Sequence, residues 1–116
     1  MKVAILGASV KPDRYSHRAQ KLLMEKGHTV YPVSPRGDGI LGVAGMTEVP
    51  AGMDTVTLYV GEERFLPILE QVIAASPRRV IFNPGTESEV AMARLAEAGI
   101  EVEEACTLVL LNTGSF

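Results

Sequence analysis

The chain has 116 residues and a net charge of −3, with 47% hydrophobic and 22% charged residues. This length fits one domain over residues 1–116, and the composition is typical of a globular protein whose core needs neither disulfides nor structural metal. The acidic balance gives no reason to expect nucleic acid or an anionic membrane surface as a partner. Any bound anion must therefore be held by local positive groups.

The chain has a single cysteine, Cys106, which cannot form an internal disulfide and therefore suits a reducing compartment. The pattern of a signal peptide, a charged segment followed by an apolar one, is not seen at the N-terminus. No apolar run approaches the roughly 20 residues of a membrane-spanning helix. We therefore expect a cytoplasmic location and no membrane partner. His17 and His28 lack a ligand-like pattern, so we expect no bound metal.

The first predicted element is a buried strand, because Val3–Leu6 is a short apolar run rich in branched residues. A polar loop follows, and then a helix with Ser16 as its predicted N-cap and Gly27 as its predicted stop. Thr29–Val33 is the second predicted strand. Because residues 35–53 are dense in glycine and proline, we expect an extended connection there and not a helix.

The second half predicts three more strands with two helices between them. The strands are Thr55–Val60, Arg79–Phe82 and Ile100–Glu103. One helix is expected to start near Glu63 with Pro67 in its first turn, and the other to end near Ala98 with Thr86 as N-cap and Glu89 at N3. The tail, residues 106–116, reads equally well as a final strand or as a helical turn.

Alternating strands and helices predict an α/β fold with a doubly wound, mostly parallel sheet of five strands and helices on both faces. We expect three layers and the strand order 3-2-1-4-5. Ligands of such sheets bind beyond the carboxyl ends of the strands. This rule selects four loops: residues 7–16, 34–37, 60–63 and 83–87.

The first of these loops, which begins Gly7-Ala8-Ser9, differs from the dinucleotide fingerprint G-x-G-x-x-G. Ser9 and Pro12 stand where that fingerprint needs glycine. The loop instead carries side chains that can donate to phosphate oxygens: Ser9, Lys11, Arg14 and Ser16. The alternative is an ordinary strand-to-helix turn with solvated charges.

The second loop, Ser34-Pro35-Arg36, has an arginine where an NAD site usually has a carboxylate for the ribose. This disfavours NAD and favours a ligand with an extra phosphate on its ribose, such as NADP or coenzyme A. The alternative is that Arg36 is a surface charge beside a glycine-rich turn.

The loop Asn83-Pro84-Gly85-Thr86 after the fourth strand is a second candidate anion site, or simply a good turn before a capped helix. Glu87 is either an acid–base group or a partner of the helix dipole. Cys106 is either a reactive thiol or a core residue, and we favour the core.

Taken together, the chain resembles the small single-domain CoA-binding proteins, which are similar in fold to the N-terminal domain of the succinyl-CoA synthetase alpha subunit. The resemblance rests on these features: Val3–Ser9, Pro12-x-Arg14, Val30–Pro35, Ile40-Leu41-Gly42, Val56–Val60 and a cysteine after the last strand. It implies a Rossmann-like fold that holds coenzyme A, with the Gly7-Ala8-Ser9 turn, Lys11 and Arg14 at the phosphates. It also implies that Arg36 lies at the adenosine-phosphate end.

We therefore predict non-catalytic binding of coenzyme A or an acyl-CoA at the carboxyl edge of the sheet. The predicted site comprises Gly7, Ala8, Ser9, Lys11, Arg14, Ser16, Ser34, Pro35, Arg36, Tyr59, Val60, Asn83, Gly85 and Thr86. Two alternatives stay open: a small NADP- or CoA-dependent enzyme that uses Glu87 or Cys106, and a regulatory or interaction subunit with a degenerate nucleotide site. Because Leu108–Leu111 is apolar, we also expect a homodimer through the tail; the alternative is that these residues pack on the sheet of their own domain.

Overall fold

A five-stranded sheet forms the centre of the computed structural model, which describes residues 1–116. The strands are β1 (Lys2–Leu6), β2 (Thr29–Val33), β3 (Thr55–Leu58), β4 (Arg79–Phe82) and β5 (Glu101–Glu104). All four strand pairs are parallel. The predicted open α/β sheet is thus confirmed, and it is wholly parallel.

Five helices connect or follow the strands: α1 (Tyr15–Glu25), α2 (Glu62–Phe65), α3 (Leu69–Ala75), α4 (Glu89–Glu97) and α5 (Thr107–Asn112). A 3₁₀ turn, Leu66–Ile68, joins α2 to α3 and contains Pro67. The single helix predicted from Glu63 is therefore broken, because proline has no N–H to donate to the preceding turn. None of the helices combines the length and apolarity that crossing a membrane requires.

The strand order is β2-β1-β3-β4-β5, so the predicted order 3-2-1-4-5 is wrong. In the predicted order β3 would lie at an edge, whereas every residue of Thr55–Leu58 is buried between β1 and β4. The extended connection from β2 crosses the sheet without a helix. Gln71 of α3 holds this connection by donating to the Val49 carbonyl and accepting from the Val49 N–H, at 2.9 and 3.2 Å.

The side chains of β1 alternate between two apolar clusters on opposite faces of the sheet, as the twofold period of a strand requires. Ala4 and Leu6 belong to the larger cluster, together with buried side chains of α2, α3 and α4. Val3 and Ile5 belong to the smaller one, with buried side chains of α1 and α5. The three layers of a Rossmann-like α/β fold are therefore confirmed.

Two of the predicted helix caps are wrong. Ser16 lies inside α1, where it is buried, and the N-cap position belongs to Arg14. Helix α4 is capped by Ser88, whose Oγ accepts from the Ala91 N–H at 3.1 Å, and not by Thr86. The Thr86 hydroxyl instead donates to the Asn83 carbonyl at 2.8 Å and closes the preceding turn.

The C-terminal tail forms α5, a short helix that lies against α1. Leu111 is buried in the smaller apolar cluster of its own chain, whereas 56% of Val109 is exposed. The sequence left open whether the tail forms a strand or a helical turn, and the structure shows the helical turn. It is partly covered by the domain itself.

Candidate functional site

An open cleft of about 420 Å³ lies at the carboxyl ends of the strands. Its floor is the point where β1 and β3 lie side by side, with Gly7 after one strand and Tyr59 after the other. From this point the chain runs to α1 on one face and to α2 on the other. This is the topological switch point at which open α/β sheets bind ligands, and the volume falls in the usual range for ligand sites.

The cleft brings together residues of all four predicted loops. Those of the predicted site residues that line it are Gly7, Ala8, Ser9, Arg14, Ser16, Ser34, Pro35, Tyr59, Gly85 and Thr86. The remaining predicted residues, Lys11, Arg36, Val60 and Asn83, do not line the cleft. The sequence did not single out Tyr15, Gly61, Arg64 and Pro84, which line it as well.

Of the predicted residues that lie off the cleft, Lys11 and Val60 adjoin residues that line it, and Arg36 lies at a different concavity. Lys11 is exposed, and its backbone N–H donates to Ser9 Oγ at 3.1 Å. Val60 lines a smaller recess of about 190 Å³ that shares Gly7 with the cleft. The Arg36 side chain is 86% exposed and borders a separate, open concavity of the β2–β3 connection.

Asn83 is buried behind the cleft wall, and all the polar atoms of its side chain are engaged. Its amide donates to Thr57 Oγ1 and to the Leu58 carbonyl, both at 2.7 Å, and its Oδ1 accepts from the Thr107 N–H at 2.8 Å. The Thr57 and Thr107 hydroxyls are themselves 2.8 Å apart. The side chain of Asn83 therefore serves the fold, by joining β3, β4 and the start of α5.

The turn after β1 is shaped by Gly7, which has φ +95°. A Cβ at this position would lie 2.8 Å from Val60 Cγ1 and 3.1 Å from the Tyr59 carbonyl carbon, so only glycine fits. The N–H groups of Gly7 and Ala8 both donate to the Val33 carbonyl, at 2.9 and 3.1 Å. These two donors are consequently used by the fold, and a ligand must rely on other groups of the loop.

The N-terminus of α1 supplies such donors. Arg14, at the N-cap, provides no side-chain cap, and the first turn contains no acidic residue. Tyr15 and Ser16, the first two helical residues, both line the cleft. Because the first N–H groups of a helix have no partner within it and carry the positive end of its dipole, this end of the cleft is suited to an anion.

Two arginines, Arg14 and Arg64, are the only charged residues among those that line the cleft. Neither forms an ion pair or a side-chain hydrogen bond, whereas Arg78, Arg79 and Arg94 are all paired with carboxylates. The cleft is therefore locally positive in a chain whose net charge is −3. Arg64 was missed from the sequence because the ligand loop selected after β3 ended at residue 63, whereas Arg64 lies in the first turn of α2.

The smaller recess adjoins the cleft through Gly7, Ser34, Pro35 and Arg64. Apolar side chains make up most of its wall: Leu6, Val33, Val60 and Ile68. The two cavities together thus offer a polar, positive part and a small apolar part. That combination suits a ligand with anionic groups attached to an apolar or aromatic group.

Tyr59 stands between the cleft and the buried polar network. Burial raises the pKa of Tyr59 to about 12, although hydrogen bonding with Thr107 and Thr57 acts in the opposite direction. The phenol is therefore protonated at neutral pH and is available as a hydrogen-bond donor.

The two candidate catalytic residues, Glu87 and Cys106, both lie outside the cleft lining. Glu87 Oε1 accepts from the Gly85 N–H at 3.0 Å, within its own loop. Cys106 is half-buried at the N-cap of α5, so the core position we favoured for it is wrong.

The fold and the cleft define a small protein of the Rossmann-like α/β class with a positive cleft at its switch point. The chain belongs to the family described as "CoA binding domain", whose model matches residues 1–112. It is also similar to the uncharacterized protein YneT of Bacillus subtilis, with 28% identity over 84% of this chain and 75% of that protein.

Solved structures share the fold. A crystal structure titled as an uncharacterized protein has 41% identity and a TM-score of 0.94, over 99% of this chain and 97% of the other. The dinucleotide-forming acetyl-coenzyme A synthetase 1 of Ca. Korarchaeum cryptofilum, in complex with phosphate and ADP, has 21% identity and a TM-score of 0.77. That match covers 90% of this chain but 25% of the synthetase, and it shows a common fold alone.

Proposed function

We propose that this chain binds coenzyme A or an acyl-CoA in the cleft and catalyses no reaction there. Membership of the CoA binding domain family supports the class of ligand. The observation that carries the proposal is the pair of unpaired arginines, Arg14 and Arg64, in a cleft without a carboxylate. Hydrogen bonds from arginine to phosphate are charge-assisted and often bidentate, so this lining favours a pyrophosphate ligand.

The loop after β2 supports coenzyme A over NAD. Its two cleft-lining residues, Ser34 and Pro35, offer no carboxylate to a ribose hydroxyl. Arg36 follows them, and its exposed guanidinium lies 3.9 Å from the carboxylate of Asp38. In this proposal Arg36 meets the ribose phosphate that distinguishes coenzyme A from dephospho-CoA. The same arginine would suit the ribose phosphate of NADP, which therefore remains the alternative cofactor.

A non-catalytic role is supported by the surroundings of the two candidate reactive groups. Glu87 is bonded to the Gly85 N–H, and Cys106 lies outside the cleft lining. An enzyme of this fold would need an acid–base or nucleophilic group within hydrogen-bond reach of the ligand. The hydroxyls of Ser9 and Ser16 are suited to donating to phosphate oxygens, whereas the Thr86 hydroxyl is engaged by the Asn83 carbonyl.

Isothermal titration with coenzyme A, dephospho-CoA, NADP and NAD tests the proposal. We expect coenzyme A to bind most tightly, and Arg14→Gln and Arg64→Gln each to weaken it about tenfold, because each removes a charge-assisted contact. Lys21→Gln is the matched control, since it removes an exposed positive charge from α1 outside the cleft. Absence of coenzyme A binding at millimolar concentration would overturn the proposal, and tighter binding of NADP would select the alternative.

A separate substitution tests the proposed contact between Arg36 and the ribose phosphate. Arg36→Gln should weaken coenzyme A about fivefold and leave dephospho-CoA unchanged, because only the first ligand carries the ribose phosphate. If both ligands lose affinity equally, Arg36 acts through the fold of its loop. If neither changes, Arg36 is a surface charge.

We also propose a cytoplasmic homodimer that associates through α5. The exposed Val109 on this helix supports an association, and the single cysteine suits a reducing compartment. Size-exclusion chromatography with light scattering should give a dimer mass for the wild type and a monomer mass for Val109→Asp. A monomeric wild type would contradict the dimer without affecting the proposal for ligand binding.

A further inference from the structure

The cleft walls formed after β3 and after β4 are joined by one side-chain hydrogen bond. Gly61 and Arg64 line the cleft from the first wall, and Pro84, Gly85 and Thr86 line it from the second. Between them, Ser88 Oγ donates to Glu62 Oε2 at 2.5 Å. This distance is typical of a charge-assisted O–H···O⁻ bond, which is about twice as strong as a neutral one.

Ser88 takes part in two hydrogen bonds at once. Its Oγ accepts from the Ala91 N–H and caps α4, while its proton goes to Glu62. Because Ser88 is buried, its hydroxyl rotor is fixed by both partners. The start of α4, and with it the loop that carries Gly85 and Thr86, is thereby tied to the first turn of α2.

Glu62 lies directly after Gly61 and two residues before Arg64, in a helix of only four residues. No side chain caps this helix at Gly61. Its first turn is otherwise held by the hydrogen bonds from the Arg64 and Phe65 N–H groups to the Gly61 carbonyl and by the buried side chain of Phe65. A helix this short is only weakly stable by itself. A side-chain hydrogen bond at its first residue therefore fixes the position of the backbone from which the Arg64 side chain extends.

We propose that Glu62 is a positioning residue for the ligand site: through Ser88 it fixes the two cleft walls relative to each other and aims Arg64 into the cleft. This inference rests on the proposed function only for the identity of the ligand. Loss of the tie therefore loosens the two walls relative to each other.

Hydrogen exchange in the ligand-free protein tests the tie itself. In Glu62→Ala we expect the amides of Arg64 and Thr86 to exchange about tenfold faster, while the Gly7 amide, bonded to Val33 in the sheet, keeps its rate. Glu62→Gln retains an acceptor for the Ser88 hydroxyl and should restore slow exchange. Glu63→Ala, at the neighbouring exposed position, is the matched control. Unchanged exchange at both walls in Glu62→Ala would overturn the inference.

Titration of the same variants with coenzyme A tests the consequence for binding. Glu62→Ala should weaken binding about fivefold, Glu62→Gln should restore it, and Glu62→Ala in an Arg64→Gln background should have little further effect. A fully additive double variant would overturn the action through Arg64. If the wild type binds no coenzyme A while the exchange pattern holds, the proposed ligand fails and the tie between the walls stands.

Discussion

The carboxamide of Asn83 donates to the Thr57 hydroxyl at 2.7 Å, and this bond joins the end of β4 to the interior of β3. The two residues are 26 positions apart in sequence; Thr57 lies in β3, and Asn83 directly follows β4, the strand paired with it. Since the same carboxamide also accepts from the Thr107 N–H, one side chain links the sheet to α5.

Replacing Asn83 should destabilise the fold. Asn83→Ala leaves the buried Thr107 N–H, the Leu58 carbonyl and a Thr57 hydroxyl short of partners, and we expect a loss of about 3 kcal/mol in the free energy of unfolding. Urea denaturation measures this loss. Asn112→Ala, at the exposed end of α5, is the control and should stay within about 0.5 kcal/mol of the wild type.

A different outcome would restore Asn83 to the ligand site. If Asn83→Ala keeps the wild-type stability but loses affinity for coenzyme A, the amide contacts the ligand and not the fold. The sequence prediction placed Asn83 in the site because it follows a strand at the ligand edge. That pattern identifies the loop, but it cannot tell whether a side chain turns toward the cleft or toward the core.

The elements that depend on local pattern were predictable. The apolar run of β1, the stop at Gly27 with φ +87° and the breaker-rich connection after β2 all follow from neighbouring residues. The loops around the cleft were predictable too, because the carboxyl ends of parallel strands share one edge. These features explain why ten of the fourteen predicted site residues line one cleft.

The strand order was not predictable from such patterns. A right-handed connection can carry β3 to the outside of β2 or across β1, and the sequence of the connection looks the same in both cases. What decides is long-range packing: Val49 and Met53 of the connection are buried in the same cluster as α3 and β3. The structure shows the result in β3, where every residue of Thr55–Leu58 is buried, as expected of a central strand.

The wrong cap predicted for α4 has a physical reason. Thr86 and Glu89 match the spacing of a capping box, yet the turn that Thr86 closes on Asn83 keeps the chain out of the helix for two more residues. Ser88 then caps α4, and its hydroxyl also donates to Glu62, a residue 26 positions away. A local motif could not reveal that distant partner.

Gly7 provides a second test, in which strain and crowding can be separated. Gly7→Ala forces a Cβ to 2.8 Å from Val60 Cγ1 and 3.1 Å from the Tyr59 backbone, in addition to the cost of a positive φ. Gly27→Ala has a similar φ and nothing within 4 Å, so it carries the conformational cost alone. We expect losses of about 3 and about 1 kcal/mol in the free energy of unfolding, measured in urea. Equal losses would mean that the β1 and β3 ends separate freely.

The last test concerns pH and the amino end of the sheet, opposite the cleft. Arg78 donates to both oxygens of Asp54, at 2.8 and 3.2 Å, and this guanidinium holds the pKa of Asp54 below its ordinary value of 3.8, against the opposing effect of partial burial. Because the folded-state pKa is depressed, the stability contributed by Asp54 is present above the unfolded value and is lost as pH falls through the folded one. Asp54→Asn should therefore be less stable than the wild type at pH 7, and the difference should shrink below about pH 4.

Urea unfolding at several pH values measures this difference in stability between Asp54→Asn and the wild type. The control is Asp13→Asn, which removes an exposed carboxylate without an ion pair. A difference that stays constant down to pH 2 would show that the ion pair with Arg78 does not stabilise the folded state.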